Sequence, residues 1–132
     1  MKLFTVDEAN DLLPAIVPKL EAIRKLYLQV DTYRDAARAA AAASTFGGGM
    51  AGGTRYVKCL YDVGKLTTEI TNAGVQLKDY QRGLIDFPSM MDGRIVLLCW
   101  QLGEPGFIEW WHETDAGFAG RRRIGDVLDP LE

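Results

Sequence analysis

Histidine and cysteine are scarce in this chain. Of 132 residues, one is histidine (His112) and two are cysteine (Cys59 and Cys99). One His and two widely separated Cys cannot supply the usual Cys/His zinc ligand sets, so a site of that kind is not expected. Cys59 falls in a helical stretch and Cys99 in an apolar strand. Both read as small buried hydrophobes without a disulfide, which fits reduced thiols in a cytoplasmic location. A basic excess is also missing. Fifteen Lys and Arg face eighteen Asp and Glu, a formal charge of −3. That disfavours a general nucleic-acid binder, which needs a positive footprint. No apolar run approaches the roughly 20 residues of a membrane-spanning helix, so no membrane partner is expected. The N-terminal residues show no apolar core of a secretory signal.

What is present fits one globular domain. Apolar residues make up 48% and charged residues 25%, enough for a single core. Acidic excess is confined to the end of the chain: residues 82–132 carry 5 basic and 9 acidic side chains, against 10 and 9 in residues 1–81. The predicted organisation is a helical arm over 5–44, a Gly-rich connector over 45–53 and a second helix over 54–73. A β-meander over 75–112 and a C-terminal loop or tail over 113–132 complete the single domain, 1–132.

Thr5-Val6-Asp7-Glu8 is a capping box, with acidic residues at the positive end of the helix dipole. Leu12, Leu13, Ile16, Leu20, Ile23, Tyr27 and Val30 then form one apolar stripe. Pro14 and Pro18 each remove a backbone donor, which predicts a short first helix ending near Leu13, a kink, and a long helix to about Ser44. Ala36 to Ala43 buries little area. Gly47-Gly48-Gly49-Met50-Ala51-Gly52-Gly53 breaks the pattern. It is not read as a phosphate-binding loop, because no strand precedes it and no Lys-Ser/Thr follows; a flexible connector is expected. In the second helix Tyr56 or Val57, Leu60, Val63 or Gly64, Leu66 and Ile70 make the stripe, and Gly74 is a natural helix stop. Two such helices should pack as an antiparallel hairpin.

From Val75 the period shifts to two. Val75 to Lys78, Leu84 to Phe87 (ended by Pro88), Arg94 to Gln101 and Phe107 to His112 read as four antiparallel strands. Met91-Asp92-Gly93 carries a turn signal. The fold class is α+β. A loop centred between Glu104 and Pro105 sets Cys99 opposite Trp110 and Leu97 opposite His112. Both faces of that hairpin are then apolar, whereas a sheet with helices on one side should have one wet face. The helical arm, the C-terminal tail or another protein chain must cover the second.

The residues resemble a known family at this point. Phe4-Thr5-Val6-Asp7-Glu8-Ala9-Asn10 with Leu12-Leu13-Pro14, then Gly74-Val75, Lys78-Asp79, Gly83-Leu84 and Asp86-Phe87-Pro88, are similar to the DUF2203 family of small bacterial proteins of unknown function. So are Cys99-Trp100, Leu102-Gly103-Glu104, Trp111-His112 and Gly117-Phe118-Ala119-Gly120-Arg121. The resemblance covers most of the chain outside Ala36 to Gly53. It implies no activity.

Candidate site residues lie on the meander. His112 is followed by Glu113 and Asp115, and Asp86 lies inside an apolar strand. The sharper reading makes Asp86 and His112 catalytic candidates, or Asp86, His112, Glu113 and Asp115 ligands for a divalent metal ion. The plainer reading is a strand-end histidine bonded to a backbone carbonyl and an ion-paired Asp86, with Arg82, Arg94 or Arg121 as partner. Arg121, at the end of a glycine-flanked loop, is a candidate anion-binding residue; Arg122 and Arg123 read as surface charges. Trp100, Trp110 and Trp111 suggest a buried aromatic cluster or interface. Two functions remain: a self-associating, dimeric structural or interaction protein, or a small metal- or anion-binding module or enzyme built on the carboxylate, His and Arg cluster.

Overall fold

A computed structural model describes residues 1–43 and 53–126. Helix α1 (Val6–Ala43) and helix α2 (Gly53–Asn72) precede five strands: β1 (Gln76–Asp79), β2 (Leu84–Met91), β3 (Arg94–Gln101), β4 (Trp110–Glu113) and β5 (Arg122–Arg123). The strands form one antiparallel sheet in sequence order. The fold is α+β. Of the Gly-rich connector expected over 45–53, Gly53 instead begins α2, and the rest lies outside the described residues, as do residue 44 and the last six residues.

α1 starts at the expected capping box. Thr5 N donates to Glu8 Oε1 at 2.9 Å and Glu8 N donates to Thr5 Oγ1 at 3.0 Å. The helix does not end near Leu13. It runs unbroken through Pro14 and Pro18. Both prolines are exposed. They stand four residues apart on the outer face, so the carbonyls they leave without a donor, on Asn10 and Pro14, can turn to water. The inner face meanwhile buries Ala9, Leu13, Ile16, Leu20 and Ile23 almost completely. Burying each large side chain stabilises by roughly 1.5–3 kcal/mol, enough to offset the helical cost of two prolines.

α2 packs antiparallel to α1. Lys19 meets Glu69, Gln29 meets Cys59, and Tyr33 meets Tyr56. Its stripe is only partly the expected one. Cys59 and Ile70 are buried, whereas Val57 and Leu60 point outward with Tyr61. Gly74 closes the helix at φ 93°.

Three differences from the expected meander have local causes. β2 does not stop at Pro88 but continues to Met91. The Pro88 carbonyl accepts from Phe4 N at 2.7 Å. Since the two backbone polar groups of a strand residue point the same way, the absent Pro88 donor faces Phe4 and costs no bond with β3. β4 begins at Trp110 rather than Phe107, because Asn10 Oδ1 takes the Ile108 N–H at 2.6 Å. A fifth, two-residue strand, Arg122–Arg123, adds to the edge; two exposed arginines give no alternating pattern to betray it.

The β3–β4 register is the expected one, Leu97 to His112 and Cys99 to Trp110. Ile85, Phe87, Val96, Leu98, Trp100 and Trp111 pack against α1 and α2 as the core. Leu84, Asp86, Pro88, Leu97, Cys99, Trp110 and His112 lie on the opposite face. That face is closed within the single chain: Leu97, Cys99 and His112 are 6%, 0% and 3% exposed.

Candidate metal and anion site

Among the described residues, the closed second face holds two of the three buried polar residues, Asp86 and His112; the third, Ser89, lies across from Val96 on the helix side. An Asp92-Gly93 turn with both φ angles positive (51° and 77°) pairs Met91 with Arg94. Stepping back along both strands from that pair sets Asp86 directly across from Cys99. β4 then brings Trp110 across from Cys99 and His112 across from Leu97. Asp86, Cys99 and His112 converge, their ligand-capable atoms all within 4.8 Å of one another and all three side chains buried.

The histidine is oriented by its second nitrogen. His112 Nδ1 lies 2.7 Å from the Glu113 carbonyl oxygen, which can only accept, so Nδ1 carries a hydrogen. Nε2 faces Asp86 Oδ1 at 3.1 Å. In the neutral ring that nitrogen presents a lone pair to a carboxylate oxygen. The contact is repulsive unless a proton or a metal cation lies between them.

Cys99 sits in a different electrostatic setting. Burial pushes its thiol up to about 12, the Asp86 charge adds to that effect, and Arg121 acts against it. Such a thiol is inert as a nucleophile at neutral pH. Lys78 Nζ stands 4.0 Å from Asp86 Oδ2.

Arg121 closes the face. Its NH2 holds Glu104 Oε2 at 2.8 Å and its NH1 lies 3.9 Å from Cys99 Sγ. The guanidinium also lies over the Trp110 and Phe118 rings, 4.6 and 4.2 Å from their centroids. Burial works against the Arg121 charge, but Glu104, helped by Cys99, more than compensates and raises its affinity for the proton. Glu113 points away to Arg94, with a 2.6 Å contact, and that guanidinium lowers its carboxyl below the ordinary range. Asp115 is exposed. Of the residues singled out from sequence, Asp86, His112 and Arg121 therefore gather here, while Glu113 and Asp115 stand apart. Cys99, read from sequence as a plain buried hydrophobe, belongs to the group. The two-residue Asp92-Gly93 turn was the signal that could have found it, since that turn fixes the β2–β3 register.

A buried Asp, Cys and His grouped on one sheet face, with an arginine strapped over it, is a polar centre in an otherwise apolar α+β domain. Residues 2–124 match the family model described as Uncharacterized conserved protein (DUF2203), and the chain belongs to that family. No curated protein and no solved structure matches it. Among the described residues, no helix is long and apolar enough to cross a membrane.

Proposed function

We propose that this protein is a small metal-binding module whose ion is held by Asp86 carboxylate, Cys99 thiolate and His112 Nε2. The observation that carries this reading is the Nε2 lone pair aimed at Asp86 Oδ1 while Nδ1 donates to the Glu113 carbonyl. That second-nitrogen bond is the usual way a protein orients a ligating histidine. A mixed sulfur, nitrogen and oxygen set suits zinc or cobalt(II). Ligand distances of roughly 2.0–2.3 Å require these atoms to draw together by on the order of 1 Å. Metal binding releases the Cys99 proton, because the thiolate is the ligand form.

Cobalt(II) titration tests the proposal. A thiolate-to-cobalt charge-transfer band at one equivalent, lost in Cys99→Ser and displaced by zinc, is expected. Absence of that band, with no metal found by elemental analysis of untagged protein, would reduce the cluster to an Asp86–His112 ion pair.

Self-association is the second reading, and a cytoplasmic location would keep both cysteines reduced. Its support is the outward face of α2, where Val57, Leu60 and Tyr61 are 64%, 45% and 68% exposed. A contiguous apolar patch on a helix commonly marks an interface. Sedimentation equilibrium should show a dimer that Tyr61→Ser weakens; a stable monomer across micromolar concentrations would remove this reading.

A further inference from the structure

We infer that the metal centre takes a small monoanion, of the carboxylate class, as an additional ligand beside Lys78; this rests on the metal-binding reading above. The inference follows from ligand count and charge. Three protein ligands leave one position open on a tetrahedral ion. Asp86 and the Cys99 thiolate neutralise a divalent cation, and neutral His112 adds nothing. Arg121 and Glu104 cancel each other across their 2.8 Å contact. Of the charged groups within 4.0 Å of Asp86, Cys99 or His112 among the described residues, Lys78 then remains as one uncompensated positive charge.

Lys78 faces a partner of its own. Its Nζ is 4.0 Å from Asp86 Oδ2, and Asp86 is the one carboxylate within that distance among the described residues. A metal ion on Asp86 withdraws the charge that Lys78 was facing. The ammonium is then left beside a neutral metal–ligand set, with three hydrogen-bond donors to place. A monoanion bound to the metal and bonded to Lys78 restores neutrality. A dianion overshoots it, and a neutral ligand leaves it unmet.

Access is also on the Lys78 side. The Asp86 and His112 side chains are each 3% exposed, whereas that of Lys78 is 44% exposed. Arg121 and Glu104, at 11% and 15%, close the Cys99 side. A small ligand therefore reaches the ion past Lys78, along the outer strand β1. Lys78 acts as the recognition residue for the anion, and Arg121 holds the opposite wall.

Cobalt-loaded full-length protein provides the test, with acetate, phosphate and acetamide as probes. Acetate should produce a saturable change in the cobalt ligand-field bands, while acetamide should not and phosphate should bind more weakly. In Lys78→Gln the acetate Kd should rise about tenfold at full cobalt loading, the loss expected for one charge-assisted hydrogen bond. Lys78→Arg should recover most of it. A loaded site whose bands ignore acetate, or that binds acetate equally well in Lys78→Gln, overturns this inference and leaves the metal site standing. If the thiolate-to-cobalt band never forms, the metal-binding reading falls and takes this inference with it.

Discussion

The two faces of the sheet are built by opposite rules. The face under α1 and α2 is filled by Ile85, Phe87, Val96, Leu98, Trp100 and Trp111, and shape chiefly decides what fits there. The face under Arg121 has the same depth of burial but carries Asp86, Cys99 and His112. Charge and proton placement decide what fits there. The first should be sensitive to volume and blind to ions, the second the reverse.

Phe87→Ala should break the first face most severely. Phe87 is fully buried and meets Phe4 edge-on at 5.3 Å between ring centroids. Its truncation should cost roughly 3–5 kcal/mol in urea unfolding, with zinc affinity of the folded protein unchanged. Zinc should act on the second face alone. At a hundredfold excess over Kd it should stabilise the wild type by about 2.7 kcal/mol. Thermal unfolding of Cys99→Ser should show no such gain.

Smaller effects mark the joints between helices and sheet. Asn10→Ala strands the Ile108 N–H and should cost about 1–3 kcal/mol by chemical denaturation. The least effect belongs to Glu69, where the bond from Lys19, and then its charge, lower the carboxyl below its ordinary range. A carboxyl depressed by folding stabilises the protein above its unfolded value, and that contribution fades as pH falls through the folded one. Glu69→Gln should therefore be slightly less stable than wild type at neutral pH, and the two melting curves should converge in acid.

The two faces also differed in how far they could be read from sequence. The apolar run from Ile95 to Trp100, with a loop centred between Glu104 and Pro105, was enough to set His112 across from Leu97. The helix-side core was legible for the same reason, since apolar spacing is a local signal. The polar centre was less so. Asp86 and His112 stood out individually as polar residues in apolar strands. Cys99 did not, because a thiol among apolar groups and a thiol beside polar partners look the same until a neighbour is known. Pro14, Pro18 and Pro88 misled for a related reason. A proline's cost depends on which way its missing donor points, and only the assembled structure assigns that direction. Leu60 sat on the wrong side of α2, and of Tyr56 and Val57 it is Tyr56 that faces inward, because two stripes, one inward and one outward, run along the same helix.

The bonds from Phe4 to Pro88 and from Asn10 to Ile108 bear on how the chain folds. The second closes a separation of 98 residues. The hairpins of the meander and the turns of α1 need only near neighbours, whereas these two fastenings must wait for the chain's beginning to find its distant partner. Such long-range closures belong late on the folding path. A lesion at Asn10 should therefore show itself mainly as faster unfolding, with the rate of folding almost untouched.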